Sequence, residues 1–417
     1  MTEPIPNRWL YVDFNSYFAS VEQQLNPALR GKPIAVVPVL TDSTCAIAAS
    51  YEAKAFGIKT GTPIYEAKQM CRNLICVLAQ HEAYVDFHHR ILAEIDKHIP
   101  VSKVCSIDEV ACQLMSNENS HERATAIAHN IKRGLARHIG SFVKCSIGIA
   151  PNRYLAKLAT DMQKPDGLTF LNAEDLPQKL YSLKLRDLPG IGHNMELRLI
   201  RFGITDMRTL CNLDLLQMHK AWGSILGEQM WHYLRGIDLP DLKTERRSIG
   251  HSHVMAPELR QPDKARLVAG RLTLKAASRL RRMNYVASAI SLSLSLENGD
   301  GYETSVKCFQ VSDSVTFLNL LDPMWKQLLN TTGPARIKKI SITLYQLTAA
   351  SNLQPELFTE LPGPSAKGER ISRLLDTINH RYGQDSVSLG MLPTEGRSFS
   401  NTKIAFTRIP DVEEFTE

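Results

Sequence analysis

The sequence predicts a multidomain α+β protein: two sheets, each backed by helices, with an all-helical stretch between them. Three observations carry this. At 417 residues the chain is too long for one hydrophobic core. Strand and helix periodicities are mixed before residue 170 and again after 248, whereas residues 171–240 read as helical throughout. Positive charge is also concentrated: Arg246 to Arg282 holds ten Lys/Arg against Glu258 and Asp263, a surplus of eight where the whole chain has +6. Such a segment suits a polyanion.

In order, WLYVDF (9–14) reads as a strand. Residues 17–80, with CAIAASYEAKAFGIKTGTPIYEAKQM, read as a small separate lobe inserted after it. KVCSIDEVACQL (103–114) reads as one or two strands, ERATAIAHNIKRGLARHI (122–139) as an amphipathic helix, and SFVKCSIGIA (141–150) as another strand. NRYLAKLATDM (152–162) is a helix opening near Pro151–Asn152. The polar, basic LKTERRSIG serves as a linker. Beyond it, SIGHSHVM alternates as a short strand. A helix opens near Pro262–Asp263, with an apolar stripe of Ala265, Ala269, Leu272, Ala276, Leu280 and Met283 beside a basic stripe of Arg271, Lys275, Arg279 and Arg282. Ile290, Leu292, Leu294 and Leu296 alternate with serines into an Asn298–Gly299 turn, which makes a hairpin. A helix from Ser312–Asp313 and the strand RIKKISITLYQL complete a βαββαβ order, the ferredoxin-like arrangement.

A composition of 43% hydrophobic and 22% charged residues is that of an ordinary soluble protein. No apolar run approaches the ~18–20 residues of a membrane span, and MTEPIPNRW lacks a secretory signal. A cytoplasmic protein with no membrane partner is expected. The eight cysteines form no CxxC pair and the thirteen histidines no HExxH, so zinc and disulfide frameworks are not expected. His88 and His89 face apart on a helix, which disfavours a shared ion.

The chemistry is in the acids. Asp108 and Glu109 stand side by side within the apolar run VCSIDEVACQL, and Asp13 ends the first strand. Adjacent buried carboxylates repel one another and lose hydration. Either they lie at the surface in water, or cations neutralise them; three acids at strand ends could hold two divalent ions through oxygen ligands. Convergence of neighbours in a strand requires a bend or bulge there.

The motifs YVDFNSYFASVE, AASYEAKAFGIKTG, CSIDEV and SIGIAPNRYLAKLATDMQKPDG, in this order and spacing and with LPGIG following, resemble the Y-family lesion-bypass DNA polymerases, nearest the bacterial polymerase IV and V branch. The likeness runs from about residue 8 to 350. It implies a ferredoxin-like palm (1–16 and 81–170) with inserted fingers (17–80), a helix-hairpin-helix thumb (171–241), a linker (242–251), a βαββαβ little finger (252–350) and a C-terminal extension (351–417) of open role. It implies two Mg²⁺ on Asp13, Asp108, Glu109 and the Phe14 carbonyl, with these acids catalytic. Nucleotide contacts would come from Tyr17, Phe18, Tyr51, Lys54 and Lys164, with Phe18 as the steric gate against ribose. Standing alone, Phe18 would read as a core aromatic.

Pro189–Gly192 read as the hairpin of a helix-hairpin-helix, whose Gly190 and Gly192 let backbone amides approach DNA phosphates. Arg246, Arg247, Arg271, Lys275, Arg279 and Arg282 complete the expected DNA contacts. Lys54 stands where the family often has Arg, Ala48 near a usual hydroxyl residue, and Asn15 for a frequent Asp. The resemblance also raises a sliding-clamp peptide at QDSVSL (384–389), though the segment reads rather as a strand following the helix that ends at Gly383. Expected partners are primer-template DNA and dNTPs, with a monomeric core, and the expected activity is low-fidelity translesion synthesis. A nucleotidyl cyclase would share the acids but would not need the PGIG hairpin or the basic domain. A catalytically silent DNA-binding adaptor would not need all three acids.

Overall fold

The computed structural model describes residues 5–241, 245–333, 335–353, 363–383, 386–390 and 409. These form two compact units that part after Asp241. In chain order the first holds β1 Trp9–Phe14, α1 Tyr17–Leu25, β2 Ile34–Val37, β3 Ala48–Ala49, α2 Tyr51–Lys54, α3 Ile64–Met70, β4 Ile75–Leu78, α4 His81–Asp96, β5 Val101–Ser106, β6 Glu109–Gln113, α5 His121–His138, β7 Cys145–Ala150, α6 Arg153–Met162 and β8 Leu168–Phe170. After three short 3-10 turns come α7 His193–Arg201, α8 Met207–Cys211, α9 Leu215–Trp222 and α10 Ile225–Tyr233.

The main sheet runs β5-β6-β1-β7-β8. Its first four strands are antiparallel in the ferredoxin-like order, with β8 added in parallel to β7. The period-two alternation of β1 divides the sheet into two faces. Leu10, Val12 and Phe14 join Val110, Cys112, Ile147 and Ile149 in a core shared with Ile91 and Ile95 of α4 and Ile131 and Leu135 of α5. Tyr11, Ala111 and Ala150 instead pack with Leu155, Ala156 and Ala159 of α6. Asp13, two residues on from Tyr11, falls on the α6 face. Asn152 caps α6 by accepting from Leu155 N at 2.8 Å.

The insert forms a three-stranded sheet, β3-β2-β4, with two small apolar clusters of its own. The expected separate lobe does not start at residue 17, however. Tyr17, Ala19 and Val21 of α1 are buried in the main core, together with Ile34 and Val36. An amphipathic helix so placed belongs to the larger body.

The second unit holds β9 Ser248–Val254, α11 Pro262–Arg282, β10 Tyr285–Leu296, β11 Gly301–Val311, α12 Ser314–Thr332, β12 Ile337–Ala349 and α13 Ala366–Tyr382. Its βαββαβ order does not give the ferredoxin-like topology that the sequence suggested. The strands run β11-β10-β12-β9, all antiparallel. The two longest and most apolar strands take the centre, and β9 and β11, which alternate with exposed polar residues, take the edges. Because β9 starts at Ser248, the last four residues of the expected linker belong to the sheet. Ile290, Leu292, Leu294, Ile340, Ile342 and Leu344 share one core with buried residues of α11 and α12. Helix α13 docks on α11 and α12: Arg281 grips Asp376 through two bonds of 2.7 Å, Ser314 N donates to Ser372 Oγ at 2.9 Å, and Gly368 abuts Asp313.

No described helix is long and apolar enough to cross a membrane. The eight cysteines are free thiols.

Gly148 sets the seat of α6. A Cβ there would lie 2.1 Å from the Ala156 carbonyl oxygen and 2.8 Å from the Ala159 Cβ. Gly148→Ala is expected to lower unfolding free energy by about 1–3 kcal/mol, read from urea denaturation; an unchanged midpoint would mean that α6 sits less tightly than described.

Candidate active site

Pairing of β1 with β6 sets Asp13 directly opposite Glu109. The Phe14 amide then donates to the Asp108 carbonyl at 2.9 Å, extending the ladder one step. Asp108 lies in the two-residue turn, Ile107–Asp108, between β5 and β6. The expected bend is thus a hairpin turn, which lets neighbouring acids serve one site. Sequence placed Asp13, Asp108 and Glu109 together, and so does the structure.

The surroundings are unusually charged. Asp13 is only 4% exposed; Lys164 Nζ bonds its Oδ1 at 2.7 Å and Lys157 Nζ its Oδ2. Lys157 also meets Glu109 Oε1 at 2.8 Å and Asp161 at 3.3 Å, and Lys164 meets Asp161 at 2.8 Å. Burial alone would favour a neutral Lys157, but the charges of Asp13, Glu109 and Asp161 overrule it and raise its pKa above the ordinary lysine value. The Tyr11 hydroxyl donates to Glu109 Oε2 at 3.0 Å. Burial pushes the Asp108 carboxyl above its usual pKa; the Ser106 hydroxyl, donating at 2.6 Å, opposes this, and the charges of Asp13 and Glu109 add to it.

These are hard oxygen donors, the set that suits Mg²⁺. Among the described residues no group of three or more His, Cys, Asp or Glu forms a ready metal cluster; the oxygens of Asp13 and Glu109 are held by Lys157, Lys164 and Tyr11. The donor chemistry fits a divalent cation, and access to it runs through those ammonium groups.

The expected nucleotide residues gather at the same end. Tyr51 has its phenol pushed up to about 12, by burial and then by the charges of Asp13 and Asp161. The Lys54 ammonium lies 4.5 Å over the Tyr51 ring, and its pKa is lowered by burial and by the like charge of Lys164. Phe18 stacks on Tyr84 with centroids 4.4 Å apart and planes at 18°. Tyr17 needs correction as a side-chain contact: it is 3% exposed, and its hydroxyl donates to the Tyr84 carbonyl at 2.7 Å. Only its amide, in the first turn of α1, remains without a helical acceptor.

Sequence reasoning missed Lys157 and Asp161, although both stood in the quoted motif; their i,i+4 spacing put a charge pair on one side of α6. It also missed why Asn15 matters. Asn15 Oδ1 accepts from Asp166 N at 2.8 Å, and its Nδ2 donates to Ser146 Oγ at 3.1 Å. Ser146 in turn binds Gln163 O and Gly167 N, so the loop bearing Lys164 is tied to the ends of two strands.

Of the expected DNA contacts, Gly190 adopts φ 89° and Gly192 is the N-cap of α7. Arg246 and Arg247 are exposed ahead of β9. Arg271, Lys275, Arg279 and Arg282 lie along α11, the helix that covers one face of the second sheet. Gln384 and Asp385 of the QDSVSL segment fall outside the described residues. Its remainder is no strand: Val387 exchanges bonds of 3.0 and 2.9 Å with the Asn379 side chain.

Comparison with known proteins places this architecture. The impB/mucB/samB family model matches residues 12–161, its C-terminal domain model residues 246–357, and a DNA polymerase-iota thumb model residues 186–238. The chain belongs to this family, the Y family of DNA polymerases. It is 30% identical to a DNA polymerase IV of Moorella thermoacetica over 90% of this chain and 93% of the relative. It is 29% identical to one from Bacillus velezensis over 94% and 95%. Among solved structures, a Y-family polymerase chimera of Dbh and Dpo4 matches with TM-score 0.70 and 25% identity, covering 82% of this chain and 99% of that one. An insertion ternary complex of Dbh DNA polymerase matches with TM-score 0.53 and 24% identity over 82% and 99%.

The turn carrying Asp108 is anchored from behind by His88, which is 2% exposed and whose Nδ1–H donates to the Ile107 carbonyl at 2.8 Å. Burial, aided by the neighbouring His89, depresses its pKa from 6.5 to about 4. Its contribution is therefore full above pH 6.5 and falls away as pH drops toward 4. Denaturation midpoints at pH 7 and pH 5 should differ less for His88→Gln than for wild type; an equal difference would remove His88 from the account.

Proposed function

We propose that the chain is a template-directed DNA polymerase, adding deoxynucleotides to a primer 3′-hydroxyl with two Mg²⁺ and accepting damaged templates. The observation that supports it most is the meeting of Asp13, Asp108 and Glu109 at one end of β1, beside the cations of Lys54 and Lys164. Asp13, Asp108, Glu109 and the Phe14 carbonyl would hold the ions. When bound, these supply Lewis acidity toward the hydroxyl and the triphosphate.

The chain's own groups do the rest. Tyr51 keeps its proton at neutral pH and donates to a phosphate oxygen, while Lys54 and Lys164 supply charge-assisted bonds. Lys54, in place of an arginine, gives a point charge rather than a bidentate fork. The first-turn amides of α1, at Tyr17 and Phe18, are further phosphate donors. Phe18, braced by Tyr84, puts a fixed ring under the sugar and leaves no space for a 2′-hydroxyl. The Gly190–Gly192 turn offers amides to a DNA phosphate without reading sequence.

In the second unit, the sheet face away from α11 and α12 carries Ser291, Ser293, Ser305, Ser341 and Thr343 with Lys307 and Lys339. Together with Arg246 and Arg247, it is the surface we assign to duplex phosphates. Arg271, Lys275, Arg279 and Arg282, on the helix behind, add to the positive field. A small finger sheet with modest cores gives little closure around the new pair, in keeping with low fidelity. A monomeric core acting in the cytoplasm, with reduced thiols, completes the reading. A cyclase has no use for the second unit or the hairpin, and an adaptor none for the acids.

Primer extension with Mg²⁺ tests this. Asp108→Ala should lose about 10³-fold or more in rate, the several kcal/mol that metal-held charge supplies; undiminished extension would end the polymerase reading. Phe18→Ala should extend primers with ribonucleotides, and continued strict rejection would remove the gate alone.

A further inference from the structure

Every carboxylate oxygen of Asp13 and Glu109 already has a protein donor. Lys164 takes Asp13 Oδ1, Lys157 takes Asp13 Oδ2 and Glu109 Oε1, and the Tyr11 hydroxyl takes Glu109 Oε2. These donors differ in kind. Tyr11 is a buried strand residue, fixed in place. Lys164 touches only one of the two acids. Among the described residues Lys157 alone bridges both, and it does so from a flexible stem on a helix whose backbone is seated against Gly148. It also has Asp161 at 3.3 Å as a third partner.

We propose that Lys157 is a built-in competitor of the metal, holding Asp13 and Glu109 until nucleotide phosphates give its ammonium another partner, so that metal and nucleotide binding are coupled through it. This rests on the reading of Asp13, Asp108 and Glu109 as metal ligands. Mg²⁺ demands close approach, at about 2.0–2.1 Å from its oxygens, so it cannot share a lone pair with an ammonium. A triphosphate brings several negative charges to the place where Lys54 and Lys164 already gather, and moving Lys157 toward it frees one oxygen of each carboxylate at once, Asp13 Oδ2 and Glu109 Oε1. Linkage then makes the effect mutual: whatever the nucleotide adds to metal affinity, the metal adds to nucleotide affinity. Lys157 is a positioning residue in this account, acting through the acids that it restrains.

The test is calorimetric titration of the full chain with Mn²⁺ alone, then with a non-hydrolysable dNTP present. Lys157→Met should bind Mn²⁺ at least tenfold tighter than wild type without nucleotide, and should gain less when nucleotide is added. Lys157→Arg, which keeps the charge, should behave as wild type. Lys157→Gln, also neutral, is read in the same way should the methionine variant not fold. Folded neutral variants that bind Mn²⁺ no tighter than wild type overturn the proposal, since a merely structural lysine would weaken the site or leave it unchanged. Asp13→Asn separates the two readings. If it abolishes Mn²⁺ binding while the Lys157 variants are unchanged, only the competitor role falls; if Mn²⁺ binding survives it, the metal-site reading itself falls.

Discussion

One rung of a ladder governs this molecule: Asp13 faces Glu109 across two antiparallel strands, on the side of the sheet that α6 covers. Like charges directly opposite one another destabilise a sheet, and here a third acid occupies the adjoining turn. The fold answers with cations from outside the sheet. The 153–167 stretch delivers Lys157 and Lys164 to the same point, and it can do so because β7 offers a glycine where any side chain would hold the helix away. Repulsion within the strands and close approach of the helix are therefore two halves of one solution.

The loop after α6 is the other half of the site, and it is not left to itself. Asn15 and Ser146 bind three of its backbone groups. Lys164 thus takes its position from the main sheet, whereas Tyr51 and Lys54 take theirs from the inserted lobe. The two sets are not independent, because Ile34, Val36 and Ala48 of the inserted sheet share the main core.

Much of this was legible in the sequence, and the limits have physical causes. Asp13, Asp108 and Glu109 could be found because acids inside apolar runs break the pattern that burial imposes. Helix starts at Asn152, Pro262 and Asp313 could be found because capping is local. Strand order in the second unit could not, since βαββαβ admits more than one pairing and the choice depends on which strands can tolerate an open edge. That the Tyr17 ring lies in the core while Phe18 is only partly buried was not legible, because both are aromatics in the first turn of α1 and only packing separates them. Lys157 escaped notice because a lysine on an amphipathic helix ordinarily marks the wet face, and only the packing of that helix reveals what it touches.

Helix α13 changes what counts as the second domain. Arg281 commits its guanidinium to Asp376 and to the Ser312 carbonyl, so one of the ten basic residues in that segment is occupied in fastening the chain's own tail. A fragment cut after the last strand would take the Asp376 carboxylate from this cation, leaving it the Ser312 carbonyl and the Ser314 hydroxyl, and strip Ser372 from the start of α12. The compact unit therefore takes in α13, well past where the sheet ends.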